Sequence, residues 1–235
     1  MEIAPNVHLI PGITANPYLI VDADGLTLID AGLPGSDRKI LRALAGLGHA
    51  PKDLKRILIT HADFDHVGGL ARLKAATGAR VYASAIEAEA IAAGHASRPF
   101  KATEHASRPF KPSNLLLKLV FSITGHLVKP RPVQVDEILA DGQVLPVLGG
   151  LRVVETAGHT PGHVSFFAPS AGVLFVGDSI VSEETGLRGS RGANNWDQAK
   201  ADDAVRKQAA LGARLVCPGH GAVVSEAVVK FPKLG

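Results

Sequence analysis

The segment Thr60-His61-Ala62-Asp63-Phe64-Asp65-His66-Val67-Gly68-Gly69 constrains this chain most. It crowds two histidines and two aspartates into six residues, directly behind the apolar run Ile57-Leu58-Ile59. Imidazole and carboxylate are ligands for divalent metals. Carboxylates packed at a buried strand end would otherwise carry a heavy desolvation cost, which a dication cancels. The plain alternative is a solvated loop that happens to be rich in His and Asp. Three later segments argue against it. Ala157-Gly158-His159-Thr160-Pro161-Gly162-His163 is a glycine-flanked histidine turn, and Leu174-Phe175-Val176-Gly177-Asp178-Ser179 ends an apolar run in a carboxylate. Leu215-Val216-Cys217-Pro218-Gly219-His220-Gly221 ends another apolar run in a histidine. The glycines let backbone approach a crowded centre.

The remaining composition narrows the class. A chain of 235 residues with 46% apolar residues has enough material for one packed domain over 1–235 and is not a disordered chain. Met1 is followed by Glu2-Ile3-Ala4-Pro5 rather than a basic and then apolar leader, and no apolar stretch reaches the ~18 residues of a spanning helix. A cytoplasmic location is expected. The single cysteine, Cys217, excludes an intrachain disulfide framework and reads as a small core residue. The net charge of +3 is unevenly placed: residues 94–132 hold seven Lys and Arg against the one acid Glu104, so the rest of the chain is net acidic.

Hydrophobic patterning predicts strands at 7–10, 18–21, 26–29, 56–60, 81–83, 143–145, 151–155, 164–168, 173–176 and 214–217. Helices are expected from a Ser36 cap to about Leu47, over 70–76, over 85–93 and over 197–211. Such alternation gives a layered α/β protein. The segment at about 94–132 stands apart as a basic and apolar insert. In it His95-Ala96-Ser97-Arg98-Pro99-Phe100-Lys101 recurs as His105-Ala106-Ser107-Arg108-Pro109-Phe110-Lys111, a local duplication in a tolerant loop. Residues 113–129, if helical, are mostly apolar and admit three readings: a buried lid over the site, a homodimer contact, or contact with a membrane surface.

The order and context of the ligand-bearing segments resemble the metallo-β-lactamase superfamily, from about Val7 to about Val224. The family motif His-x-His-x-Asp-His reads here His61-x-Asp63-x-Asp65-His66, with Asp in place of the second His. The later family ligands fall on His159, Asp178 and His220, and Leu28-Ile29-Asp30-Ala31-Gly32 matches an early strand-and-turn signature. The resemblance implies a four-layer αββα sandwich with the site at one edge of two sheets. It also implies two divalent metal ions, zinc first, with iron or manganese as alternatives. One ion would be held by His61, Asp63 and His159, the other by Asp65, His66 and His220. Asp178 and a hydroxide would bridge them, and Asp65 would act as the catalytic carboxylate. Asp30 and His163 are expected to brace the ligands from behind, with direct ligation the second reading of His163. A third carboxylate makes the centre a weaker Lewis acid and moves its preference toward iron or manganese.

The activity implied is hydrolysis of an ester, thioester or lactone. The substrate is expected to be a small molecule with an apolar or acyl part, and no nucleic acid is expected. The C-terminal region that holds glutathione in glyoxalase II has no counterpart in the fifteen residues after His220. The tyrosine that quorum-quenching lactonases use has none among Tyr18 and Tyr82. Arg188, Arg191 and Trp196, in the stretch after Asp178, could meet a substrate's polar end or belong to a surface loop. Two other classes stay open. One is a di-iron redox protein resembling the flavodiiron branch, which uses a carboxylate at the Asp63 position but carries a fused flavodoxin domain. The other is a non-catalytic binding protein that keeps the fold.

Overall fold

The structure is a computed structural model that describes residues 1–98, 130–184 and 186–232. The region 99–129, with the second heptapeptide copy and the 113–129 segment, lies outside the described residues. Within them no helix is long and apolar enough to cross a membrane.

Two sheets carry the fold. The first runs in chain order from β1 (Glu2–Ala4), β2 (Val7–Leu9), β3 (Tyr18–Asp22) and β4 (Gly25–Ile29) to β5 (Leu54–Leu58), β6 (Arg80–Ser84) and β7 (Glu137–Leu139). Its first four strands pair antiparallel and β4 to β7 pair parallel. Helices α1 (Ser36–Gly46), α2 (Phe64–Val67), α3 (Leu70–Thr77) and α4 (Ala85–Ala93) lie between its strands in the chain. The second sheet contains β8 (Val144–Leu145), β9 (Leu151–Glu155), β10 (Val164–Ala168), β11 (Val173–Gly177), β14 (Leu215–Pro218) and β15 (Val224–Ser225), in the order β15-β14-β11-β10-β9-β8. A small hairpin, β12 (Ile180–Glu183) with β13 (Gly186–Gly189), and helix α5 (Gln198–Ala209) separate β11 from β14.

Period-two alternation explains the layering. Leu19, Leu28 and Ile57 face one apolar layer, shared with Ile40 and Leu44 of α1, Leu70 and Leu73 of α3, and Ile91 of α4. Their neighbours Ile20, Ile29 and Leu58 face the middle layer, where they meet Val153, Phe166, Phe175 and Cys217 of the second sheet. The residues adjacent to these on the second sheet, Phe167, Leu174 and Val216, face a third layer closed by Val205 of α5. Three apolar layers between two sheets and two sets of helices make the αββα sandwich. Burying one such Phe or Leu contributes roughly 1.5–3 kcal/mol. Cys217 is buried in the middle layer, as its apolar context implied.

Several local expectations need correction. Ser36 begins α1 but does not cap it: Gly35, left-handed at φ 92°, holds the capping position and makes no side-chain bond there. Strand β5 starts and ends two residues before the predicted 56–60, because its register is set by parallel pairing to β4 and β6. The stretch after Asp178 is not one loop. Leu187 and Arg188 pair with Ser182 and Val181 across the hairpin, and only then does the chain turn. Strand β7 escaped notice because its three residues are ordered by pairing with β6 rather than by their own pattern.

The sheets bring their chemistry to one edge. Strands β4 and β5 run parallel, as do β11 and β14, and Asp30, His61, Asp178 and His220 each lie just past the C-terminal end of one of them. Backbone bonds join the two sheets at that edge: Val164 N donates to Thr60 O at 3.0 Å and Asn16 N to Gly219 O at 2.7 Å. Crevices at the carboxyl ends of parallel strands are where α/β proteins place ligands.

Candidate metal centre

Asp30 is the first element of the site. It is buried and left-handed (φ 60°), a conformation that Asp tolerates better than most residues. Its carboxylate accepts from Thr60 N at 2.9 Å and from Thr60 Oγ1 at 2.8 Å, and its Oδ2 lies 2.8 Å from His66 Nδ1. Because the Thr60 hydroxyl proton goes to Asp30, Thr60 Oγ1 accepts from Nδ1 of His61, 3.0 Å away. Both imidazoles are therefore held through Nδ1 and turn Nε2 inward. His159 follows the same rule, with Nδ1 3.3 Å from Ser190 Oγ. This is the arrangement in which an outer partner fixes the tautomer of a ligating histidine.

The inward atoms converge. His61, Asp63 and His159 each offer an atom within 4.8 Å of the others, and so do Asp65, His66 and His220. A third group, His61, His66 and Asp178, overlaps both. Asp178 lies between the triads, with Oδ1 3.2 Å from His66 Nε2 and Oδ2 3.3 Å from His220 Nε2 and 3.7 Å from His159 Nε2. Asp63 Oδ2 lies 3.3 Å from His159 Nε2 and 3.7 Å from His61 Nε2.

The donor set fits a divalent ion. His61 Nε2, Asp63 Oδ1, His66 Nε2 and Asp178 Oδ1 are all buried without a hydrogen-bond partner. Such orphans are costly unless something else satisfies them. Backbone makes room for them: a Cβ on Gly219 would lie 2.3 Å from Asp178 Oδ1. Gly177, left-handed at φ 51°, lets the chain pass His163, whose Nε2 would stand 2.7 Å from an added Cβ.

Charge reinforces the geometry. Burial opposes ionisation of Asp63, yet His159, His61 and Arg98 hold its carboxyl far below the usual range. Burial likewise opposes ionisation of Asp178 and Asp65, and both are held low, Asp178 chiefly by His66 and Asp65 chiefly by His220. Burial and the neighbouring His66 keep His61 well below its ordinary value. His66 goes the other way: Asp178 and Asp30 outweigh its burial and hold it high. Hydrogen bonds to Asp178 and Asp65 push His220 up to about 10. Three carboxylates thus stay ionised in one pocket, balanced by protonated imidazoles in a protein without metal.

His163 makes no inward offer. Its Nε2 accepts from Asp178 N at 3.2 Å, so Nδ1 carries the proton and donates to Thr156 Oγ1 at 2.8 Å. Burial, then the nearby His159, brings it down to about 3. It holds the Asp178 backbone from behind. Arg188 pairs with Glu183 across the hairpin and Arg191 is exposed. Trp196 donates its backbone N–H to His159 O at 3.0 Å, while its ring lies under Lys200.

Two residues of the site escaped sequence reasoning. Glu87 is fully buried and accepts from Ala62 N (2.8 Å), Thr160 Oγ1 (2.6 Å), Gly162 N (3.0 Å) and Ser97 Oγ (2.9 Å). It clamps the His61 loop to the His159 turn. Its only sequence signal, Ser84-x-x-Glu87, reads as a helix capping box. Ser84 does accept from Glu87 N, at 3.4 Å, but the glutamate side chain serves the site instead. The other is Arg98, whose Nη2 donates to Asp63 Oδ2 at 2.5 Å and whose Nη1 donates to Asn194 O.

Comparison with known proteins agrees with this fold. A family-wide match to the metallo-beta-lactamase superfamily spans residues 10–220. The probable metallo-hydrolase YflN of Bacillus subtilis is 27% identical over 234 residues, covering 94% of this chain and 85% of that protein. A hydroxyacylglutathione hydrolase of Cereibacter sphaeroides is 30% identical over 190 residues and 80% of this chain, but the chain spans only 55% of its length. Among solved structures, a Cronobacter sakazakii metallo-beta-lactamase with a HARLDQ motif superposes with a TM-score of 0.70 at 26% identity, covering 94% of this chain and 77% of that one. Members of the superfamily bind divalent metals, usually zinc. With its fold and its matched span in agreement, the chain belongs to the metallo-beta-lactamase superfamily.

Proposed function

We propose that this protein is a metal-dependent hydrolase that transfers an acyl group from an ester, thioester or lactone to water. The observation that carries the reading is the set of four orphaned buried donor atoms converging from His61, Asp63, His66 and Asp178. In this reading His61, Asp63 and His159 would hold one divalent ion and Asp65, His66 and His220 another, with Asp178 available to both. Zinc is the first candidate, with iron or manganese as alternatives. When bound, such ions lower the pKa of water and polarise a carbonyl oxygen.

The chain's own groups do the rest. Asp30 and Thr60 fix the tautomers of His61 and His66. Asp65 stays ionised at the exposed side, 3.2 Å from His220 Nε2, where it can take a proton from an attacking water. His163 and Glu87 hold the loops in register. A relative named hydroxyacylglutathione hydrolase makes a thioester the first substrate to try. The whole of 1–235 is taken as one domain serving one small-molecule substrate, with Arg191 and Trp196 as candidate contacts for its polar end.

The test uses protein stripped by a chelator and reloaded with zinc, assayed on thioesters, aryl esters and lactones beside Asp178→Ala. Turnover should return with zinc and vanish in the variant. Two bound equivalents with no hydrolysis of any panel member would refute the hydrolase reading. Protein purified with iron and showing no hydrolysis would favour the redox class instead.

A further inference from the structure

Asp63 brings a negative charge to a triad in which the family motif has a neutral imidazole, and the structure supplies a positive charge beside it. Arg98 Nη2 reaches Asp63 Oδ2 at 2.5 Å. That same oxygen is the one facing His159 Nε2 at 3.3 Å and His61 Nε2 at 3.7 Å, while Oδ1 is buried and unpartnered. The guanidinium is anchored once more, by Nη1 to Asn194 O, and the chain beside it is held by Ser97 Oγ, which donates to Glu87 Oε1 at 2.9 Å. Both members of the pair are largely withdrawn from solvent, Arg98 at 20% and Asp63 at 15% exposure. The cation is permanent, and no other carboxylate pairs with it among the described residues.

We propose that Arg98 is the counter-charge of Asp63: the two act as one net-neutral donor, and Arg98 sets which metal the first triad accepts. The proposal rests on the metal centre described above. A bare carboxylate is a harder and more negative donor than imidazole and draws the triad toward manganese or iron. A carboxylate already bonded to guanidinium donates less charge, which returns the triad toward zinc. Arg98 is thus a positioning residue that acts through Asp63 and touches no reacting atom.

The charge reading and a merely structural brace make opposite predictions. The full chain is stripped with a chelator and titrated separately with zinc and manganese against a chromophoric chelator. All variants carry Arg108→Met, because Arg108 stands in the identical heptapeptide and could otherwise take the role of Arg98. Arg98→Met should bind manganese at least tenfold more tightly than its parent and shift the manganese-to-zinc ratio by a similar factor. Arg98→Lys, which keeps the charge, should stay within about threefold of the parent. With Asp63→His the cation faces a neutral ring and a dication, so Asp63→His alone should bind its first-triad ion at least tenfold more weakly than Asp63→His/Arg98→Met. Weaker binding on loss of Arg98 in both backgrounds would reduce it to a brace and overturn the proposal. Unchanged affinities and ratios in both would overturn it as well. A parent protein that takes up no metal at saturating zinc would instead strike the metal-centre reading itself.

Discussion

The two triads lie on either side of one carboxylate, Asp178, and differ in exposure and in what supports them. The triad of His61, Asp63 and His159 is closed, with exposures of 0%, 15% and 5%, and Arg98 lies across it to Asn194. The triad of Asp65, His66 and His220 is open, with Asp65 at 29% and His220 at 34% exposure. The difference teaches where each half of the centre does its work. On the proposed reading a substrate reaches the centre from the open half, beside the ionised Asp65. The closed half sees the substrate only from one side, so its departure from the family motif at Asp63 bears on the metal rather than on substrate contact.

Asp178 belongs to both halves, so its loss should erase the contrast. Asp178→Ala is expected to drop metal content below one equivalent and hydrolysis by at least ~100-fold, read by elemental mass spectrometry and initial rates. Retention of two equivalents would show that Asp178 does not join the triads. Single ligand losses should then separate the halves. His220→Ala removes a half-buried donor and should release one equivalent; the metal-free protein should lose the ion pairing of this ring to Asp65 and Asp178, a destabilisation that shrinks as salt is raised. His61→Ala leaves a cavity and takes away the N–H that Thr60 Oγ1 accepts, so it should release metal and also destabilise the metal-free protein by about 1–3 kcal/mol in denaturant unfolding. The His61→Ala loss, which comes from a cavity, should not depend on salt, and equal salt dependence of the two substitutions would break the comparison.

The same contrast explains what could be read from the sequence. The donors stand in short segments that follow apolar strands, with glycines nearby, so the segments were legible locally, while the division of the seven residues into two triads came from the family resemblance. The layered α/β class was legible in the alternation of strands and helices, but the αββα order came from the resemblance, because strands such as β10 and β11 are apolar on both faces and show no polarity alternation. The supports of the closed half were not. Glu87 stands at helical spacing from Ser84 and satisfies a local capping rule, so nothing in the chain near it shows that its partners are Ala62, Thr160 and Gly162. Arg98 stands among many cations in a duplicated segment, and its pairing with Asp63 spans 35 positions. The hairpin after Asp178 was missed because its glycines weaken the strand pattern while cross-strand pairing restores it.

Glu87 offers the finest test, because it braces the closed half alone. Glu87→Ala would leave four donors without their acceptor, and with ~1–3 kcal/mol for each buried group, partly relieved by water, a loss of about 3–5 kcal/mol is expected in metal-free protein. A smaller effect follows from its charge. Burial raises the Glu87 carboxyl above its ordinary value, so the folded chain holds that proton more tightly than the unfolded one. The resulting stability is complete below the unfolded value of 4.5 and is lost as pH rises through the folded value. Glu87→Gln has no proton to lose. Denaturant midpoints of the metal-free proteins at pH 4.5 and pH 7 should therefore move in favour of the glutamine variant at the higher pH. A difference that stays constant between the two pH values would mean that the four donors fully offset the burial of this carboxylate. The closed half would then be held as much by the charge of Glu87 as by its shape.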